Sequence, residues 1–119
     1  GLPALIRAVK LQKRAARVGF DWPKIDQVLD KVREEILELT EAKNPKHQYE
    51  EFGDLMFVMA NLARHMNIDP EQSLQDANKK FTRRFNGVEQ KLKDKNTTPS
   101  YSNLLEMDAL WDEVKKEEK

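Results

Sequence analysis

Four acidic side chains at helical spacing are the residues of this chain best suited to metal chemistry. Glu35 and Glu38 lie three positions apart in one segment, and Glu51 and Asp54 lie three apart in the next. Three positions are close to one helical turn, so each pair lies on one face of a helix. Oxygen ligands without His or Cys favour a hard divalent cation, Mg²⁺ or Mn²⁺. The simpler alternative is a solvated acidic face, because helices are rich in glutamate.

The turn between the two acidic segments decides whether the pairs meet. Proline fixes its own φ and disfavours helix for the residue before it, here Asn44. One helix should therefore end near Lys43 and the next begin at Pro45. This arrangement predicts a tight antiparallel hairpin.

Residues equidistant from such a turn lie level with each other. Glu35 should then face Asp54, and Glu38 should face Glu51, while Glu34 points away. Four carboxylates at one level would repel each other and raise one another's pKa unless a cation lay between them. The meeting of two acidic pairs therefore favours a metal site over a solvated face.

Composition predicts an all-α fold. The 119 residues include only four glycines and five prolines, and Leu, Ala, Glu and Lys are abundant. Apolar periodicity indicates four main helices and a short C-terminal helix, in a single domain over residues 1–119. The chain starts without Met and enters a helical pattern at once, which suggests that it is cut from a longer protein with a further N-terminal domain.

Charge and cysteine content exclude several classes of function. The chain has 21 basic and 21 acidic side chains, so no global field attracts nucleic acid or an anionic membrane. The absence of cysteine excludes disulfides, thiolate catalysis and zinc–thiolate sites, and is compatible with the cytoplasm. No apolar run is long enough to span a bilayer. Neither His47 nor His65 follows a glutamate by three positions, which argues against a di-iron bundle.

Other polar residues have two interpretations each. Lys80 and Arg84 lie one turn apart beside the apolar stripe of the fourth helix, where they could bind a polyphosphate or form salt bridges with glutamates. Asn61 lies on the polar strip of the third helix, where it could bind nucleotide or satisfy a buried hydrogen bond. By spacing alone, Trp111 is a core residue.

Apolar residues predict how the helices pack. Phe20 and Trp22, in the Gly19–Pro23 segment that separates the first two helices, are expected to pin that loop to the core rather than stack on a base. The third helix is apolar on most of its circumference, which indicates the centre of a bundle or a subunit interface. The buried stripe of the second helix is predicted at three positions: Val32, Ile36 and Leu39.

These acidic residues resemble the metal-binding motif of MazG nucleoside triphosphate pyrophosphohydrolases, in the all-α NTP pyrophosphatase superfamily. The motif is Glu34-Glu35-x-x-Glu38, a spacer of 12 residues, and Glu51-x-x-Asp54. Further segments are similar to the family: Gly19-Phe20-Asp21-Trp22-Pro23, Gly53-Asp54-Leu55, Asn61-Leu62-Ala63-Arg64-His65, Lys80-Phe81-Thr82-Arg83-Arg84-Phe85 and Glu106-Met107-Asp108-Ala109-Leu110-Trp111. The resemblance covers nearly the whole chain and is to the C-terminal domain of two-domain MazG proteins.

The resemblance implies hydrolysis of (d)NTPs between the α and β phosphates, which gives a monophosphate and pyrophosphate. It implies a Mg²⁺ cofactor, for which Mn²⁺ could substitute, assembly at least as a dimer, and a role in cleansing the nucleotide pool. The alternative is a non-catalytic helical module whose acidic and basic faces bind a protein or nucleic acid. Metal-dependent release of pyrophosphate distinguishes the two.

The resemblance also implies roles for individual residues. Glu35, Glu38, Glu51 and Asp54 would hold the metal, and either Glu35 or Glu38 would orient or deprotonate the attacking water. The substrate-binding residues that the resemblance implies are Lys80, Arg84, Trp111 and Lys115, and Asn61 is added to them from its place on the polar strip of the third helix.

Overall fold

The computed structural model describes residues 1–118, which form five α-helices and no strand within that range. The helices are α1 (Ala4–Arg17), α2 (Ile25–Thr40), α3 (Pro45–His65), α4 (Pro70–Asp94) and α5 (Leu104–Glu117), with a 3-10 turn at Pro99–Tyr101. The all-α prediction is confirmed, although α5 has 14 residues and is not short. None of the described helices is long and apolar enough to cross a membrane. The chain divides into two compact units, Gly1–Ser73 and Leu74–Lys119, and Lys119 itself lies outside the described range.

The first unit is built around α3. Both α1 and α2 pack against this helix. Small side chains at Ala60 and Ala63 are buried there, and small residues let helix axes approach closely. Across the α1–α3 contact the Gln12 side chain donates to the Phe57 carbonyl at 3.1 Å. The other buried apolar residues of this unit are Val28 and Val58.

The turn between α2 and α3 forms as a hairpin, with one difference from the prediction. Asn44 caps α3 by accepting a hydrogen bond from the His47 amide at 2.9 Å, and Pro45 occupies the first helical position. However, α2 ends at Thr40 rather than near Lys43. The Thr40 hydroxyl donates to the carbonyl three residues earlier at 2.8 Å, a local bond that competes with continuation of the helix.

Three of the described helix ends use a left-handed residue: Gly19 after α1, Asn67 after α3 and Asn96 after α4. The ends of α1 and α3 show the hydrogen bonds of a left-handed cap. After α1, Gly19 adopts φ +90 and the Phe20 amide donates back into the last turn at 3.0 Å. After α3, Asn67 adopts φ 58 and the Ile68 amide donates to Ala63 at 2.8 Å. Both are Schellman caps.

The second unit has its own apolar core, formed between α4 and α5. The buried residues are Val88, Leu92, Leu110 and Val114, with Met107 and Trp111 packed against them. A Cβ at Gly87 would lie 3.0 Å from a Val114 methyl group, so glycine permits the close approach of the two helices. Trp111 is half-buried here, as its spacing predicted.

Candidate functional site

The hairpin of α2 and α3 brings three carboxylates together. One oxygen from each of Glu35, Glu38 and Glu51 lies within 4.8 Å of the others. Glu35 is only 6% exposed, and Glu38 and Glu51 are half-buried. Glu34 points away, as helical phase predicts, with its side chain 53% exposed. We call Glu35, Glu38 and Glu51 the carboxylate cluster.

Two of the three cluster residues each have one carboxylate oxygen, the outer one, bound by a basic side chain, which lies one turn earlier on the same helix. The Lys31 ammonium lies 3.3 Å from Glu35 Oε1, and His47 Nε2 lies 3.1 Å from Glu51 Oε1. The inner oxygens, Oε2 of Glu35 and Oε2 of Glu51, are buried and have no hydrogen-bond partner within the described residues. The sequence analysis missed Lys31 and His47, although their spacing of four from a glutamate is a usable signal.

Crowding within the cluster perturbs Glu38. Desolvation is the main factor that raises the pKa of Glu38, followed by the nearby negative charge of Glu51. Like charges at this distance oppose ionisation of both groups. The cluster therefore stores repulsion that a cation would relieve.

The donor set fits a hard divalent cation. Oxygens that bind one such ion at about 2.0–2.6 Å lie no more than about 4–5 Å apart, and the cluster oxygens satisfy that limit. A buried oxygen without a partner is costly and requires an explanation, and here there are two of them. All donors are carboxylates, which is the ligand chemistry that Mg²⁺ and Mn²⁺ prefer.

Asp54 does not join the cluster. The residue is exposed, and its carboxylate is not among the groups that lie within 4.8 Å of one another. Its side chain is one methylene shorter than glutamate. It does line the same cavity as Glu35. Glu35 and Asp54 were expected to face each other. They line the same cavity, but their carboxylates do not form one cluster.

This cavity lies beside the cluster in the first unit and has a volume of about 290 Å³, near the lower end of small-molecule sites at about 300 Å³. Its apolar wall consists of side chains from α1, α3 and the loop between α1 and α2: Leu11, Ala15, Phe20, Trp22, Phe57 and Val58. Its polar lining includes Asn61, which is only 3% exposed. Such a cavity suits a flat, mainly apolar group with a few polar atoms.

A charged contact at Asp21 holds the loop over this cavity. Phe20 is 81% exposed, so the expectation that it pins the loop to the core is wrong, whereas Trp22 is 38% exposed and covers the core only in part. Instead, the Asp21 carboxylate accepts hydrogen bonds from Arg64 and His65, the latter at 2.9 Å. Asp21 and Arg64 are 43 positions apart, and no local pattern indicated their pairing.

The remaining predicted site residues lie in the second unit. The Arg84 guanidinium donates to Glu118 at 3.0 Å and lies 5.8 Å from the centre of the Trp111 ring. The salt bridge that the sequence left as an alternative for Arg84 therefore forms. Lys80 and Lys115 are exposed.

The sequence of this chain is similar to a family of pyrophosphohydrolases and to several named proteins. The profile of the family described as phosphoribosyl-ATP pyrophosphohydrolase matches residues 2–81, which include the whole carboxylate cluster. A Thermotoga maritima protein named nucleoside triphosphate pyrophosphohydrolase/pyrophosphatase MazG is 40% identical over 114 residues, or 96% of this chain. A nucleoside triphosphate pyrophosphohydrolase of Escherichia coli K12 is 45% identical over 122 residues, or 98% of this chain.

These relatives are longer than this chain. The matches cover 45% of the Thermotoga protein and 46% of the Escherichia protein. An uncharacterised Bacillus subtilis protein, YabN, is 42% identical over 80 residues, which is 67% of this chain and 16% of that protein. The chain thus corresponds to about half of the first two proteins.

Proposed function

The chain belongs to the phosphoribosyl-ATP pyrophosphohydrolase family, as a MazG-like member, and we propose that it hydrolyses nucleoside triphosphates to monophosphates and pyrophosphate. The observation that carries the proposal is the carboxylate cluster with its two buried, unpartnered oxygens. A structural acidic patch would have those oxygens in solvent or paired with a cation side chain. Relatives named for this activity support the choice of reaction.

Glu35, Glu38 and Glu51 would hold the proposed Mg²⁺ or Mn²⁺. Asp54, which lies outside the cluster but lines the same cavity as Glu35, is proposed as a fourth ligand. A divalent ion bound there would neutralise phosphate charge and acidify the attacking water. Lys31 and His47 fix the outer oxygens of Glu35 and Glu51. They thereby hold the inner oxygens in place, as outer-shell groups commonly do for metal ligands.

Glu35 or Glu38 orients the water and takes its proton as the oxygen attacks the α phosphorus. The bond from that phosphorus to the bridging oxygen breaks, and pyrophosphate leaves. Desolvation and the charge of Glu51 raise the pKa of Glu38, which makes its carboxylate a stronger base than an exposed one. Glu35 is the more deeply buried of the two.

The second unit contributes residues whose roles rest on the family resemblance. Lys80 and Arg84 are proposed to bind the phosphates, where charge-assisted hydrogen bonds stabilise the developing negative charge. Trp111 and Lys115 are proposed to contact the nucleoside. For Arg84 this role requires exchange of its salt bridge with Glu118 for a phosphate. The housecleaning role and the cytoplasmic location belong to the same proposal.

Replacement of one cluster carboxylate tests the function directly. The Glu38→Gln variant keeps the shape of the side chain but loses its charge and its capacity as a base, so metal-dependent pyrophosphate release should fall by about a hundredfold or more. Release is measured from the common ribo- and deoxyribonucleoside triphosphates with Mg²⁺ and with chelator. Far-ultraviolet circular dichroism should show an unchanged helical fold.

Glu34→Gln is the matched control, because Glu34 is the adjacent exposed glutamate outside the cluster. It should retain activity. Full turnover by Glu38→Gln would refute the role of the cluster. An absence of metal-dependent release from the unmodified protein would favour the non-catalytic binding module instead.

A further inference from the structure

Asn61 presents a hydrogen-bond donor at the cavity beside the carboxylate cluster. Arg64 Nε donates to the Asn61 side-chain oxygen at 3.0 Å. Because a guanidinium has only donors, the atom facing it must be the oxygen, and the Asn61 NH₂ group is directed elsewhere. That nitrogen makes no hydrogen bond to the described residues. If it were fully buried as well, it would be a buried atom without a partner, and in the described part of the chain only carboxylate oxygens of Glu35 and Glu51 are in that state. It therefore remains accessible at the cavity that Asn61 lines.

Arg64 is itself held in place. Its terminal nitrogen donates to Asp21 Oδ1, and His65 binds the same oxygen at 2.9 Å. The Arg64 side chain is 14% exposed, so it has little room to adopt another rotamer. Arg64 thus holds the Asn61 amide with its Nε while its terminal nitrogen is held by Asp21. This pairing fixes the orientation of the Asn61 amide.

The cavity favours a nucleobase over a phosphate as the partner of this amide. Phe20, Trp22 and Phe57 supply aromatic surface. The charged part of the lining holds more carboxylates than cations, and its two cationic side chains are already paired with carboxylates: Asp21, Glu35, Asp54, Lys31 and Arg64. Carboxylates repel a phosphate that no cation accompanies. A base is flat and largely apolar, and its carbonyl oxygens and ring nitrogens accept hydrogen bonds.

We propose that Arg64 is a positioning residue for substrate recognition: it fixes the Asn61 amide so that the NH₂ group donates to an acceptor on the nucleobase of a nucleoside triphosphate. The inference rests on the proposed function and adds to it a site for the base. Arg64 would act through Asn61 and not through a contact of its own with the base. Its contribution is to prevent the amide from rotating and offering its oxygen instead.

The Arg64→Lys variant tests this role because lysine keeps the positive charge near Asp21 but lacks the Nε donor. KM and kcat are measured for ATP, GTP, CTP and UTP. Loss of one oriented hydrogen bond should raise KM for the best of these substrates by about tenfold, with kcat little changed. Inorganic tripolyphosphate has no base, so its inhibition constant should not change. Arg33→Lys is the control, since Arg33 also pairs with an aspartate, at 2.9 Å, but on the exposed face of α2.

Asn61→Asp provides a second test that does not depend on the stability of Arg64→Lys. Aspartate still accepts from Arg64 but offers no donor to the base, so KM should rise by a similar factor. The double variant should show no further rise, because both changes remove the same interaction. Additive effects of the two substitutions would contradict the coupling.

Several outcomes would overturn the inference. An unchanged KM in Arg64→Lys, or an equal weakening of tripolyphosphate inhibition, would show that Arg64 does not act through the base. A fall in kcat and thermal stability without a change in KM would show a purely structural role. If the unmodified protein hydrolyses no triphosphate, the proposed function fails and this inference fails with it; if it hydrolyses them and only the KM effect is absent, the proposed function stands.

Discussion

At the scale of single residues, the carboxylate cluster has an arrangement that disfavours the metal-free fold. Glu35 and Glu51 each bind a basic side chain with one oxygen and leave the other buried and unpaired. A neutral or apolar residue in place of one of the three acids would make the metal-free fold more stable. The cost is tolerable if a cation binds the folded state, since ligands of the folded state add to its stability.

This reasoning predicts that Glu38→Gln stabilises the metal-free protein. Without divalent ions the variant should melt at a higher temperature than the unmodified protein, because one of three crowded negative charges is gone. Addition of Mg²⁺ or Mn²⁺ should raise the melting temperature of the unmodified protein and raise that of the variant much less. Differential scanning calorimetry with EDTA and with each ion measures both effects.

Glu34→Gln again serves as the control, since its carboxylate pairs with Lys31 at 3.1 Å outside the cluster. Its melting temperature and its response to metal should resemble those of the unmodified protein. If the metal-free Glu38→Gln variant melts below the unmodified protein, repulsion among the cluster carboxylates does not destabilise the metal-free fold.

At the scale of secondary-structure elements, local sequence signals mark where helices begin, and the start of α3 at Pro45 was predicted from them. Asn44 and Pro45 start α3, and Asp69 caps α4 by accepting from the amides of Glu71 and Gln72 at 3.0 and 3.1 Å. Such caps depend on residues within a few positions of each other, which a sequence displays directly. The hairpin that places Glu38 opposite Glu51 follows from the same local chemistry.

Tertiary features were less predictable from the sequence. Ile36 is 46% exposed, so its predicted place in the buried stripe of α2 is wrong for the single chain. Helical phase gives the face of a residue but not whether a neighbouring helix or solvent covers that face. The pairing of Asp21 with Arg64 and His65 joins distant segments, and no periodicity encodes it. The base contact proposed for Asn61 depends on that same pairing.

The loop after α1 should depend on Asp21 in a pH-dependent way. The hydrogen bond from Arg64 is the main cause that lowers the pKa of Asp21 from 3.8 to about 2, and His65 adds to it. A depressed acid pKa stabilises the fold above the unfolded value, and that stabilisation is lost as the pH falls through the folded value. The contribution should therefore be complete above 3.8 and disappear toward pH 2.

Asp21→Asn should lower the free energy of unfolding at neutral pH by on the order of 1 kcal/mol, since water screens part of the interaction. Urea titrations should show that the difference from the unmodified protein shrinks as the pH falls from 3.8 toward 2. Asp30→Asn is the control, because the pair of Asp30 with Arg33 is highly exposed and should contribute little. A difference that does not vary with pH would exclude the carboxylate as its source.

At the scale of the whole molecule, the single chain leaves a continuous set of large apolar side chains in solvent. On α3, Phe52, Met56 and Met59 are exposed at spacings of four and three, so they form one stripe. Ile36 on the adjacent α2 is exposed as well. Monomeric proteins rarely expose large apolar patches that serve no purpose, and we infer that this face is buried between copies of the chain.

Disruption of the stripe tests that oligomer. Light scattering after size-exclusion chromatography should give the unmodified protein a mass of at least two chains. Met59→Lys places an ammonium in the stripe, which a buried interface accepts only at the cost of desolvating it, so this variant should elute as a monomer with its helical content intact. Leu105→Lys is the matched control, because it introduces the same charge at an exposed apolar position of α5 outside the stripe. If Leu105→Lys dissociates the protein and Met59→Lys does not, the interface lies on the second unit and the exposure of the α3 stripe has another cause.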